Sequence, residues 1–285
     1  MHLNKLPSKN IGILFIILIV LAVFSYTQNN LLKVTKFEVD SSKIPRNFDG
    51  FKIAHLTDLH GKLFGKDQKY LVEKVRKENP DIIVYTGDMV DKRHYDGAPG
   101  LLLMRELKKI APVYFVSGNH EWWTGKNDEL KKQLQAEGVV VIENTYFELK
   151  KSNSSILLYG LEDPSSNTDG SDDLSYADKK FQEMKIPEDG KYKILLSHRP
   201  ELFQVYKKFG FDLIFAGHAH GGQIRIPFIG GIFAPDQGFF PKYTLGLYSD
   251  GSTNMVVSGG LGNSIIKQRI FDRPEVVIVT LRHQK

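Results

Sequence analysis

Five short apolar runs, each stopping at a small polar cluster, constrain this chain most. Residues 51–57 (FKIAHLT), 81–86 (DIIVYT), 112–117 (PVYFVS), 193–197 (KILLS) and 211–215 (FDLIF) are too short for buried helices and rich in β-branched and aromatic residues. They read as buried strands. Residues 68–78, 101–110 and 127–137 between or after the first three have helical periodicity, the last ending at Gly138. Strands alternating with helices of that length give βαβ units and a largely parallel sheet. Residues 33–40 alternate as a half-buried strand. Residues 139–142, 146–149 and 155–160 read as short antiparallel strands, 176–184 as a helix in the polar segment 163–190, and 243–248, 254–258 and 274–281 as three more strands. The expectation is an α/β chain with two packed sheets and helices outside.

The polar clusters stand where strands end, which is where open α/β sheets bind ligands. They are Asp58-Leu59-His60, Gly87-Asp88, Gly118-Asn119-His120-Glu121, His198 and Gly217-His218-Ala219-His220. A carboxylate and an imidazole two apart face the same side of an extended segment. One carboxylate can bridge two cations, and a set of Asp, Asn and His suits zinc, iron or manganese. Any one of these clusters alone is an ordinary turn. Together they place five of the nine histidines at strand ends, while His2, His55, His94 and His283 stand apart.

In order, the five clusters resemble the motif blocks of the calcineurin-like metallophosphoesterases. The resemblance covers roughly residues 50–282. HGGQIRIP, FPKYTLGLY and GGLGNSIIKQRIFDRPEVVIVTL are similar to a bacterial membrane-associated branch that includes phosphodiesterases and UDP-2,3-diacylglucosamine pyrophosphohydrolases. The resemblance implies a four-layer αββα sandwich of two mixed β-sheets flanked by helices, and two divalent metal ions. One ion would take Asp58, His60, Asp88 and His220, the other Asp88, Asn119, His198 and His218. His120 would help the leaving oxygen depart, with Glu121 as its orienting partner. The implied chemistry is hydrolysis of a phosphoester by a water activated between the metals. A phosphomonoesterase or nucleotide phosphatase is the alternative within the enzyme class, and a non-catalytic metal-binding envelope protein the alternative outside it. The HExxH pattern of a zinc peptidase is absent, since Trp122-Trp123-Thr124 follow His120-Glu121. Gln223, just past the last block, has no role in this pattern.

The N-terminus is a separate unit. No charged residue occurs from Asn10 to Leu32, and residues 11–24 are apolar throughout except Gly12. With polar flanks this is long enough for a membrane helix, about 20 residues. Lys5 and Lys9 before it favour a cytoplasmic N-terminus and an exported domain. A cleaved signal peptide is the alternative, although Val23-Phe24-Ser25 makes a poor cleavage site. The division is therefore residues 1–32 as anchor and spacer and 33–285 as the metallophosphoesterase domain, single-pass in the cell membrane with catalysis outside. The chain has no cysteine, so thiolate sites and a cysteine nucleophile are excluded. The net charge of +5 is too balanced to expect nucleic-acid binding. Residues 226–241 (IPFIGGIFAPDQGFFP) read either as a loop packed on the core or as an apolar lip meeting lipid, and Trp122 and Trp123 offer a second such surface. The lip and the anchor favour a lipid-linked or envelope phosphate substrate. Nothing in the sequence sets the oligomeric state.

Overall fold

The computed structural model describes residues 8–264 and 266–284; Lys5 and His2 lie outside them. The chain opens with α1 (Ser8–Asn30) and β1 (Lys33–Ser41). It then alternates β2 (Lys52–Leu56), α2 (Lys69–Glu78), β3 (Ile82–Thr86), α3 (Ala98–Lys108), β4 (Val113–Val116), α4 (Asn119–Trp123), α5 (Asn127–Ala136) and β5 (Val140–Val141). A hairpin of β6 (Thr145–Lys151) and β7 (Ser154–Gly160) leads to α6 (Asp173–Met184), β8 (Lys193–Leu196), α7 (Phe203–Lys208) and β9 (Leu213–Ala216). The two-residue strands β10 (Arg225–Ile226), β11 (Gly230–Gly231), β12 (Phe233–Ala234) and β13 (Gly238–Phe239) form two small hairpins. Then β14 (Gly246–Asp250), β15 (Thr253–Val257) and β16 (Glu275–His283) complete the fold.

Two six-stranded sheets result, in the orders β1-β16-β2-β3-β4-β5 and β14-β15-β9-β8-β7-β6. Pairing is parallel from β2 through β5 and from β7 through β9 to β15, with antiparallel joins at β16–β2, β6–β7 and β14–β15. The sheets are mixed, and helices cover their outer faces.

The period of two explains the unbroken apolar runs. In β3, Ile83 and Tyr85 point into the core under α2 and α3, while Ile82 and Val84 point into the core between the sheets. In β9, Leu213 and Phe215 enter the inter-sheet core, and Ile214 and Ala216 the core under α6 and α7. A strand buried on both faces has no polar side to show.

Three expectations change. Residues 140–141 pair parallel with β4, not antiparallel, because α5 carries the chain back across the sheet before β5 forms. A one-turn helix, α4, begins inside the Gly118–Glu121 cluster. The stretch 226–241, read as a loop packed on the core or an apolar lip, carries two small hairpins, β10–β11 and β12–β13.

Helix α1 has 23 residues, about 34 Å at 1.5 Å per residue. It is the one helix among the described residues long and apolar enough to cross a membrane. Its apolar side chains from Ile11 to Val23 are exposed, but its last two turns dock on the domain. The Phe24 ring meets Phe271 edge-on at 5.6 Å, Ser25 Oγ donates to Gln268 Oε1 at 2.5 Å, and Asn29 Oδ1 accepts the Arg269 N–H at 2.9 Å.

Candidate metal centre

The ends of β2, β3, β4, β8 and β9 meet at one edge of the sandwich. His198 Nδ1 bonds the Thr86 carbonyl at 2.7 Å, tying β8 of one sheet to β3 of the other. The chain turns sharply there. Asp58, His60, Asp88, His218 and His220 all have positive φ, between 46° and 64°. The Asp58–His60 and His218–His220 pairs are therefore carried on left-handed turns, not on the extended segments their spacing suggested. Such backbone costs roughly 1–3 kcal/mol per residue and persists where packing over-determines it. Here packing leaves no slack: a Cβ on Gly118 would strike the Asp88 carboxylate, and one on Gly217 the side chains of Thr57 and Asp58.

Two clusters form around one carboxylate. Asp58, His60, Asp88 and His220 bring their donor atoms together, as do Asp88, His198 and His218. Asp88 Oδ2 lies 3.6 Å from His60 Nε2 and 3.3 Å from His198 Nε2. His60 Nε2 faces His220 Nε2 at 3.2 Å, and His218 Nδ1 faces His198 Nε2 at 3.2 Å. Two nitrogens bound tetrahedrally to one ion at about 2.0–2.1 Å sit roughly 3.3 Å apart, so both pairs have the spacing of shared ligands. Asn119 Oδ1 is buried with no partner, an acceptor without a donor.

Electrostatics points the same way. Burial pushes His60 down to about 3 and His218 down to about 4, and drives His220 well below the usual imidazole range. These rings are neutral, with lone pairs free. Burial pushes the Asp58 carboxyl up to about 7. Burial also acts to lower His198, but Asp88 and Asp58 outweigh it and lift the ring to about 10. Buried carboxylates are drawing positive charge from an imidazole, the place a cation would fill. The residues present fit a pair of metal ions.

The neighbouring groups fix orientation. His218 Nε2–H donates to Asp236 Oδ2 at 2.9 Å, leaving Nδ1 for the cluster. Asp236 also meets the buried Arg199 guanidinium, which Asp163 holds at 2.9 and 3.2 Å. The Glu121 carboxylate accepts backbone N–H bonds from Asp88, Met89, Val90 and Gly118 at 2.6–3.2 Å. Its hydrogen bonds thus set the Asp88 turn rather than the His120 ring. His120 Nδ1 instead accepts the Lys92 N–H at 3.1 Å, with Asp91 Oδ1 at 3.8 Å. Asp91, Asp236 and Arg199 were not singled out from the sequence. The spacing Asp88-x-x-Asp91 was the available signal for the first. His55 is a core residue bonded to Thr86 Oγ1 at 2.7 Å. Of the two tryptophans, Trp122 donates to Ser117 Oγ at 3.0 Å, and only Trp123 is exposed, 5.2 Å from the His120 ring.

The sequence model of the calcineurin-like phosphoesterases matches residues 51–222. The chain belongs to this family. Its members are dimetal-dependent phosphoester hydrolases, and this chain is a metal-dependent phosphoesterase. It is 31% identical over 265 residues to YkuE of Bacillus subtilis (strain 168), an uncharacterized metallophosphoesterase, covering 90% of this chain and 88% of that one. It is 28% identical over 239 residues to the phosphodiesterase YaeI of Escherichia coli (strain K12), covering 81% and 82%. Among solved structures, TT1561 of Thermus thermophilus superposes with a TM-score of 0.50 at 14% identity, over 74% of this chain and 90% of that one. That likeness concerns the fold, whose two mixed sheets and outer helices agree with the four-layer expectation.

Proposed function

We propose that this phosphoesterase cleaves phosphodiesters or pyrophosphates, on a lipid-linked or envelope substrate, from an anchored position at the membrane. The observation that carries the two-ion reading is Asp88, whose Oδ2 faces a histidine of each cluster at once. Asp58, His60, Asp88 and His220 are assigned to one ion, and Asp88, Asn119, His198 and His218 to the other. Manganese, iron or zinc suits this donor set. When bound, the ions supply charge neutralisation at the phosphoryl group and a water of lowered pKa.

The chain's own residues do the rest. Because Nδ1 of His120 accepts the Lys92 N–H, the neutral ring carries its proton on Nε2, which lies 4.0 Å from Asp88 Oδ2. Burial holds the His120 ring below its ordinary range, so it acts as a neutral hydrogen-bond donor to the leaving oxygen. Glu121 fixes the backbone that presents Asp88.

The membrane part of the reading draws on α1. Residues 1–32 are taken as the anchor and 33–285 as the catalytic domain outside the cell membrane. The docked last turns of α1 would hold the metal centre close to the lipid surface. Phe228, Ile229, Phe239 and Phe240 are exposed on the hairpins after the last cluster, and Phe271, also exposed, packs on Phe24 of α1. That arrangement supports an apolar lip for an acyl tail. The name of YaeI supports a diester over a monoester.

The test is a panel of aryl phosphodiesters, phosphomonoesters and acylated sugar pyrophosphates, each with manganese, iron or zinc. Expected are diester or pyrophosphate turnover that a chelator abolishes, and loss of turnover in Asp88→Ala and His120→Ala. Full activity in either variant would falsify the assignment. Phe239→Ser with Phe240→Ser should slow the acylated substrate and spare the aryl diester.

A further inference from the structure

A cavity of about 10 Å³ lies between His220 and Gln223 on one side and Gly262, Asn263, Ser264, Ile266 and Arg269 on the other. A space of that size takes a single oxygen atom or water. Gln223 is only 6% exposed, and its carboxamide makes no hydrogen bond among the described residues. Its Oε1 is wholly buried without a partner. Buried amides are normally paired, and an unpaired one needs an explanation. The other long polar side chains here are committed. Arg269 donates to Asn263 Oδ1 at 2.8 Å, to Asp272 Oδ2 at 2.9 Å and to the Gly259 carbonyl at 2.8 Å. The Asn263 amide donates to Asn29 Oδ1 at 3.3 Å.

The backbone of Gln223 is strained as well. Its φ of 60° and ψ of −53°, with the Ile224 N–H donating to the Gly222 carbonyl at 2.7 Å, make the positive-φ γ-turn, a rare and strained form. Glycine adopts such a conformation at least cost, yet glutamine stands here. The turn cannot relax outward. A Cβ on Gly222 would strike the Gly231 backbone, and one on Gly221 the Asp272 carboxylate. The strain therefore serves to aim the side chain into the cavity beside His220. Strain kept at such a place points to function.

Resting on the hydrolase reading above, we propose that Gln223 is a substrate-binding residue whose Oε1 accepts from one water held in this cavity and whose carboxamide N–H donates to a non-bridging oxygen of the phosphoryl group at its mouth. The residue orients the phosphorus centre. It takes no part in bond making or breaking.

Inorganic phosphate is the probe. Full-length protein in detergent, loaded with manganese, is titrated calorimetrically, and metal content is measured by plasma mass spectrometry. Gln223→Gly and Gln223→Ala should each bind phosphate roughly ten- to a hundred-fold more weakly, the range of one hydrogen bond to a charged group. Both should keep the parent's metal content and raise KM more than they lower kcat. Gln223→Gly should also melt at a higher temperature than the parent, because glycine relieves the turn. A merely structural glutamine would give the opposite, a less stable protein with unchanged phosphate binding. Undiminished phosphate binding in both variants, or loss of metal in place of phosphate, overturns the role of Gln223. Failure of the metal-loaded parent itself to bind phosphate would instead remove the hydrolase reading beneath it.

Discussion

His218 presents Nδ1 to its cluster because Asp236 holds its Nε2–H, and Asp236 is itself half exposed on the β12–β13 hairpin. A hydrogen-bonded carboxylate behind a metal-binding histidine typically accounts for ten- to a hundred-fold in metal affinity. Asp236→Asn should therefore weaken binding at the site of His198 and His218 by about that factor. The site of His60 and His220 should keep its affinity, as calorimetry with stepwise metal addition can resolve. Deeper in, Asp163 pairs with Arg199 away from solvent. Burial acts to raise the Asp163 carboxyl, but Arg199 outweighs it and holds the group below the usual range. A depressed carboxyl stabilises the fold above its unfolded pKa, about 3.9, and that contribution is lost as pH falls through the lower folded value. Asp163→Asn removes the fully buried partner of Arg199 while Asp236, Asp173 and Glu201 remain beside it, at a cost of roughly 1.5–3 kcal/mol, that of a hydrogen bond to a charged group. Chemical denaturation should register that loss at pH 7, and a smaller difference from the parent near pH 2.

At the scale of elements, α1 matters through its last turn. Asn29 Oδ1 receives the Arg269 N–H and the Asn263 amide, and its carbonyl receives Lys62 Nζ. One residue thus ties the helix to the wall of the cavity beside His220. Asn29→Ala should speed amide hydrogen exchange across residues 263–269 and raise KM for a small diester, while the melting temperature moves little. Exchange unchanged in that segment would mean the wall is held by the domain alone. These ties were not legible in the sequence, and the reason is physical. Asp58, His60, Asp88, Asn119, His120, His198, His218 and His220 stand where apolar runs stop, and local periodicity marks strand ends. Asn29, Asp236 and Arg199 act through contacts between segments well separated in the chain, which no local period encodes. The same limit hid the direction of β5. Two valines look alike in a parallel or an antiparallel pair, and only the packing of α5 decides between them.

For the whole molecule, the two sheets meet along a line of buried donors that the fold alone does not satisfy. Asp58 is pushed up to about 7 by burial, and Asn119 Oδ1 lacks a partner. The clusters draw on β2 and β3 of one sheet and β8 and β9 of the other, so ions bound there would cross-link the sandwich at its open edge. Binding to the folded state alone stabilises it by RT ln(1 + [L]/Kd), about 4 kcal/mol per site when the ion is at a thousand times its Kd. Chelation should therefore lower the melting temperature by several degrees. The loss should appear first as faster exchange at the ends of β3 and β8, which the contacts of His198 with Thr86 and Asp88 would then join. Asp88→Ala removes the carboxylate common to both clusters, so its melting temperature should respond little to added manganese. Asn119→Ala removes a donor from one cluster only and should keep about half of the response. Equal melting with and without metal in the parent would mean that the edge is held by protein contacts, and that the ions serve chemistry without serving the fold.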